Sequence, residues 1–145
     1  MKLESIFELW EQDSQIRREV LDEESLKIAS YHHKYHKILT QERLLLRKYE
    51  TELKVLKLDK FEFLTMGPTK QTQEKGWVLP PVGKVIRSDC QQYIDADKDV
   101  IELTLKIGIQ HEKIELLESI MKSLHGRGFQ IKGAIDWIKF TSGAG

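Results

Sequence analysis

Apolar residues recur along this chain at spacings of three and four rather than two, which predicts helices almost throughout. Leu3, Ile6, Phe7 and Trp10 fall at i, i+3, i+4 and i+7 and make one helix face, with Glu4, Glu8 and Glu11 on the other. Asp13-Ser14 interrupts or re-caps this helix, and Ile16 and Val20 extend it. The segment reads equally well as a docked amphipathic helix or as an arm that meets a partner. Asp22 is a good N-cap, with Glu23 and Glu24 in the first turn, and no Gly or Pro follows until Gly67. Positions 28, 32, 35, 39, 42, 46, 49, 53, 56, 60 and 63 form a four/three ladder in which only His32, Glu42 and Lys60 are not apolar. The ladder predicts a helix of about 40 residues, roughly 60 Å at 1.5 Å per residue. That exceeds the roughly 30 Å of a compact domain, so such a helix protrudes or is covered by other subunits.

Gly67-Pro68 ends the ladder, and Thr69 to Lys75 is polar and expected to be flexible. Gly76-Trp77-Val78-Leu79-Pro80-Pro81-Val82-Gly83 predicts a loop with extended character, because each Pro disfavours the helical region for its predecessor. Trp77 and Val78 are expected to dock on the helices. Ser88 or Asp89 can cap a following helix that reaches His125, with a weak spot at Gly108. Within it Val100, Leu103, Ile107, Ile114, Leu117, Met121 and Leu124 recur at a/d spacing. Gly126 and Gly128 are candidate C-caps, with Arg127 suited to a helix C-terminus. A last short helix begins near Ile131-Lys132 and carries Ala134, Ile135, Trp137, Ile138 and Phe140, before a frayed tail over Thr141–Gly145. A continuous apolar seam must be buried, and in a small chain the partner is often a second copy. The seam, with Phe129 and Ile131 beyond it, is therefore assigned to oligomerisation.

The fold class expected is all-α: long amphipathic helices in an elongated hairpin or bundle, assembling into a homo-oligomer. Four segments follow: an N-terminal helix or arm over 1–21, a long basic helix over 22–66, a Gly/Pro loop over 67–87, and a helical oligomerisation region over 88–145.

Composition adds to this picture. With 145 residues, 32% charged and 40% hydrophobic, the chain suits a soluble helical protein with a thin core. The lone Cys90 excludes an internal disulfide and a Cys-rich zinc site and fits a reducing cytoplasm. No signal peptide and no membrane span is read from the sequence. The net charge is zero but unevenly spread: −5 over residues 1–26, +5 over 27–60, +1 over 61–90, −3 over 91–125 and +2 over 126–145. A local basic field attracts nucleic acid even when the total is neutral, although a solvated helix face has the same composition.

Motifs for catalysis are lacking. Gly76 and Gly83 are too far apart for a phosphate-binding loop, and Lys84 is followed by Val85 rather than Ser or Thr. Asp95, Asp97 and Asp99 resemble the start of a calcium loop, but Val100 and Lys106 stand where Gly and Glu are required. His32 and His36 share a helix face, yet His33 occupies the Glu position of a zinc-protease motif. A half-buried histidine cluster flanked by tyrosines is the simpler reading of these three. No nucleophile–base pair stands out, so no enzyme activity, metal or cofactor is expected.

On a helical wheel Arg43, Arg47, Lys54 and Lys57 fall on one flank of the ladder, and Lys27, Lys34, Lys37 and Lys48 fall toward the other. Cations at spacings of three, four and seven lie along a line, as phosphates do along a strand. Tyr49, Phe61 and Phe63 are near enough to offer stacking faces. Rows of cations with aromatic platforms suit single-strand binding without sequence preference. Arg43, Arg47, Lys48, Lys54, Lys57 and Lys60 are the candidate DNA-binding residues.

The chain also resembles the UvsY family, recombination mediators of T-even-type bacteriophages. The resemblance is carried from about Arg87 to Phe140 by Ala96-Asp97-Lys98-Asp99-Val100 and by Arg127-Gly128-Phe129-x-Ile131-Lys132 at the family's separation. In the first half, Asp22 and Leu56-Lys57 match. Lys57 stands for the family's DNA-contacting Lys, while Asp59 replaces the Arg two residues on and Lys60 follows it. The resemblance implies a non-enzymatic protein that binds single-stranded DNA coated by a phage single-strand-binding protein. It implies that the protein helps a RecA-like phage recombinase to load, in recombination-dependent replication and repair. It further implies a ring of six or seven subunits in the host bacterial cytoplasm. Two other readings stay open on the residues alone: a structural coiled-coil adaptor without nucleic-acid binding, and a histidine-dependent metal protein.

Overall fold

The computed structural model describes residues 1–143 of the chain, and part of the tail read over Thr141–Gly145 lies outside the described residues. Six α-helices are described: α1 (Leu3–Asp13), α2 (Leu21–Leu26), α3 (Ile28–Met66), α4 (Lys70–Glu74), α5 (Cys90–Asp95) and α6 (Lys98–Thr141). Short 3-10 turns at Arg18–Val20 and Arg87–Asp89 lead into α2 and α5. The described residues contain no strand. They divide into two compact units, one of Met1–Leu44 with Ile109–Gly145 and one of Leu45–Gly108.

The first unit holds α1, α2, the start of α3 and most of α6. Its core is built on two periodic stripes. Tyr35 and Leu39 of α3 are buried, as are Ile114, Leu117, Ile120, Leu124 and Ile131 of α6. Each such aliphatic side chain contributes roughly 1.5–3 kcal/mol on burial. The helix α1 is docked: Ile6 is buried, and the Trp10 ring meets Tyr35 edge-on at 5.5 Å. Asp13 at its end accepts from Lys34 Nζ at 2.7 Å and from the Tyr35 hydroxyl at 2.8 Å. Burial first, and then the Asp13 carboxylate, raises the Tyr35 phenol above its ordinary value, so it stays a donor.

Most buried polar groups in this unit have partners, although Arg127 Nη1 is buried without a hydrogen bond. Gln110 Nε2 donates to the backbone oxygen of Glu42 at 2.8 Å and to its carboxylate at 2.5 Å. Burial alone would raise the Glu24 carboxyl, but Arg17 and Lys27 outweigh it and hold the group below its usual range. Arg127 lies between the rings of Trp10 and Tyr31, at 5.7 and 5.6 Å, and donates to the backbone oxygen of Asp13 at 2.7 Å.

The second unit holds the end of α3, α4, the Pro-rich loop, α5 and the start of α6. Leu64, Val85, Cys90, Ile94 and Val100 form its core, with Leu53, Leu56, Phe61, Leu79 and Tyr93 packed against them. Gly67 stops α3 at a positive φ of 92°, and the Val85 amide then donates to the Leu64 oxygen at 2.8 Å.

Several boundaries differ from the sequence expectation. The long helix begins at Ile28 rather than at Asp22, which sits inside α2 instead of capping α3. The stretch Thr69–Lys75 is ordered as α4 by a capping box in which Thr69 and Thr72 exchange hydrogen bonds. Gly76, at φ 75°, follows α4, and the Trp77 amide reaches back to the Thr72 oxygen at 3.1 Å. The helix expected from Ser88 to His125 is broken at Ala96-Asp97, where the Asp97 carboxylate accepts from the Asp99 and Val100 amides at 3.0 and 3.1 Å and caps α6. Gly126 and Gly128 are not C-caps, because α6 continues through them to Thr141. Each internal glycine costs roughly 1 kcal/mol against alanine. The buried positions Leu124, Arg127 and Ile131 keep the four/three register across them and outweigh that cost.

Candidate nucleic-acid interface

The ladder on α3 orients its cations. In the second unit Leu53, Leu56 and Phe63 face inward, so residues on the opposite side of α3 face solvent and those on its flanks are partly covered. Arg47, Lys48 and Lys54 are exposed and Lys57 is half-buried. At 3.6 residues per turn Arg47, Lys54 and Lys57 share one flank with Glu50, leaving the row net positive, and Lys48 stands apart on the outer side. An open groove of about 250 Å³ runs beside Lys57, lined by Asp95, Val100, Ile101, Thr104 and Leu105.

The other candidate cations are placed differently. Arg43 belongs to the first unit, where its Nη2 pairs with Glu118 Oε1 at 2.9 Å in a half-exposed contact. Such surface pairs contribute at most about 1 kcal/mol and exchange readily. Lys27 lies 3.5 Å from Glu24, and Lys34 is held by Asp13.

Lys60 is a correction to the sequence reading. It is a buried rung of the ladder, 6% exposed, and is not presented with the surface cations. Its Nζ donates to Asp99 Oδ2 at 2.8 Å and lies 3.1 Å from Asp97 Oδ1. It also sits 3.7 Å from the centroid of the Trp77 ring. The hydrogen bond from Lys60 holds the Asp99 carboxyl below its ordinary value. A buried ammonium needs such partners, and these bind Lys60 into the fold rather than to a ligand.

The aromatic candidates separate too. Phe63 is buried against Trp77, with ring centroids 5.6 Å apart. Trp77 docks as expected, whereas Val78 beside it is exposed. Tyr49 is half-buried under Lys106, whose Nζ is 4.4 Å from the ring centroid. Phe61 is half-buried with the Arg87 guanidinium 5.9 Å from its ring centroid. Sequence reasoning did not single out Arg87, because 26 positions separate it from Phe61 and only the fold brings the two together.

The assigned oligomerisation residues mostly serve the chain's own core. Val100, Ile114, Leu117, Leu124 and Ile131 are buried within it, and Leu103, Ile107 and Met121 are half-buried. Phe129 alone of that set is exposed, at 77%, on the same helix as the exposed Trp137 and Phe140. The histidines also differ from expectation: His32, His33 and His36 are exposed rather than half-buried, with the His32 and His36 rings stacked at 6.0 Å. Among the described residues no group of three or more His, Cys, Asp or Glu side chains is placed to hold a metal ion. No helix among them is long and apolar enough to cross a membrane.

A family model described as "Recombination, repair and ssDNA binding protein UvsY" matches residues 9–144 of the chain. No curated protein and no solved structure matches it.

Proposed function

The chain belongs to the UvsY family of recombination, repair and single-stranded-DNA-binding proteins, and from that membership we propose that it is a recombination mediator. It binds single-stranded DNA carrying a phage single-strand-binding protein and helps a RecA-like recombinase to load there. It acts by binding and assembly, not by catalysis, and works in the cytoplasm of the infected host. The observation that carries this reading is the cation row of exposed Arg47 and Lys54 and half-buried Lys57 on one flank of α3. A row along one helix meets successive phosphates, releases their counterions and needs no base-specific contact.

A single helix makes few contacts, and a homo-oligomer multiplies them through effective concentration. The exposed Phe129, Trp137 and Phe140 on α6 support an assembly of that kind, with a ring of six or seven copies as the form proposed. Several copies would bend or wrap the strand, loosen the coating protein and hold the strand ready for the recombinase.

The test is fluorescence anisotropy with a labelled oligo-dT at low and moderate salt, on protein whose mass is known from light scattering. Tight binding that weakens steeply with salt is expected, with a logarithmic slope of roughly −0.7 per phosphate contact. Arg47→Ala with Lys57→Ala should weaken it without changing mass; unchanged affinity in the folded double variant would move the site elsewhere. Recombinase ATPase on a coated strand tests the loading step, and no acceleration over recombinase alone would reject it.

A further inference from the structure

Arg87 and Phe61 lie together at the end of the cation row, and we infer that they form a stacking platform that holds a base of the bound single strand. The inference rests on the single-strand-binding reading above and deepens it by adding base stacking to phosphate contact. Phe61 lies on the same flank of α3 as Arg47, Lys54 and Lys57, four residues beyond the last of them. It is half-buried and packs against the core cluster that includes Leu64, Val85 and Cys90. The exposed Arg87 guanidinium sits 5.9 Å from that ring's centroid.

The backbone makes this arrangement rigid. The Val85 amide is tied to the Leu64 oxygen at 2.8 Å, one turn beyond Phe61 on α3. Cys90 is buried, and its thiol lies 3.5 Å from the Ile86 oxygen. Arg87 is therefore held between two buried anchors, Val85 and Cys90, while its own side chain stays in solvent. A planar guanidinium beside an aromatic ring gives an unstacked base a flat surface of the kind single-strand-binding proteins use.

The chemistry favours a base over a phosphate at this position. Asp89 lies in the same 3-10 turn as Arg87 and Asp95 ends the next helix, so with Lys84 and Arg87 the segment from 84 to 95 carries no net positive charge to draw a phosphate. A nucleobase face is uncharged and needs no such charge. The ligand is thus a single strand whose phosphates follow Arg47, Lys54 and Lys57 while one base stacks at Arg87.

The experiment compares wild type, Arg87→Lys and Phe61→Leu on labelled oligo-dT and on an abasic strand of equal length. Arg87→Lys keeps the charge and loses the plane; Phe61→Leu keeps the apolar packing and loses the π face. Circular dichroism confirms that each is folded. Both variants should bind oligo-dT roughly five- to 150-fold more weakly, the range for one lost stack. Binding to the abasic strand should change less than two-fold. If wild type binds oligo-dT with steep salt dependence and both folded variants match it, the platform is overturned while the single-strand reading stands. If the variants weaken both strands alike, Arg87 meets a phosphate and the stacking inference fails. If wild type binds neither strand at low salt, both readings fall together.

Discussion

The ammonium of Lys60 lies 3.7 Å from the centre of the Trp77 ring and within hydrogen-bond reach of Asp97 and Asp99. These contacts join the end of α3, the loop after α4 and the first turn of α6 inside one unit. Asp97 uses both carboxylate oxygens, one on Lys60 and one on the amides that open α6. Lys60→Met should therefore lower the unfolding free energy by about 1–3 kcal/mol, because it strands two carboxylates that remain only partly solvated. Urea denaturation gives that value. Single-strand affinity per folded molecule should stay within two-fold, and a larger loss would return Lys60 to the DNA-binding set.

Acid should weaken the same link. The Asp99 carboxyl is held below its usual range by Lys60, so the unfolded chain binds this proton more readily than the folded one. The stabilisation is complete above the ordinary aspartate value of about 4 and is lost as the pH falls through the lower folded value. Asp99→Asn should be less stable than wild type by about 1 kcal/mol or less at neutral pH, since Asp99 is half-exposed. That gap should close at strongly acidic pH. A difference that held constant across the titration would show that the charge of Asp99 is not what stabilises.

Leu117 is fully buried inside the chain and Phe129 is exposed. Leu117→Asp buries an unpaired charge and should cost more than about 3 kcal/mol, seen as loss of helicity by circular dichroism and not merely as dissociation. Phe129→Asp should keep wild-type helicity and lower the mass measured by light scattering. A folded Leu117→Asp of reduced mass would put the seam back at a subunit interface.

Gly126 and Gly133 stand inside α6 with open space where a Cβ would go, and neither has a positive φ. Gly126→Ala and Gly133→Ala should each raise stability by up to about 1 kcal/mol, measured by thermal melts. Destabilisation by Gly126→Ala would instead restore the helix end read there from the sequence.

The sequence by itself determined the helices and the faces they bury, because a 3.6-residue period repeats locally and needs no knowledge of partners. Ten rungs of the ladder on α3, Ile28, Tyr35, Leu39, Glu42, Leu46, Tyr49, Leu53, Leu56, Lys60 and Phe63, are buried or half-buried. The family was legible as well, from short motifs at a fixed separation. Tertiary structure alone decided what each face meets. Periodicity shows that Leu117 must leave water, but not whether its neighbour is the same chain or another copy. Charge counting shows nine cations between 27 and 60, but not that Lys60 is buried among Asp97, Asp99 and Trp77 while Arg47 and Lys54 face solvent. The helix breaks follow the same logic. Asp97 caps α6, and buried Arg127 carries α6 through Gly126 and Gly128, because contacts far apart in sequence outweigh local propensity of about 1 kcal/mol. Arg87 met Phe61 only when the Val85–Leu64 hydrogen bond folded the loop back onto α3.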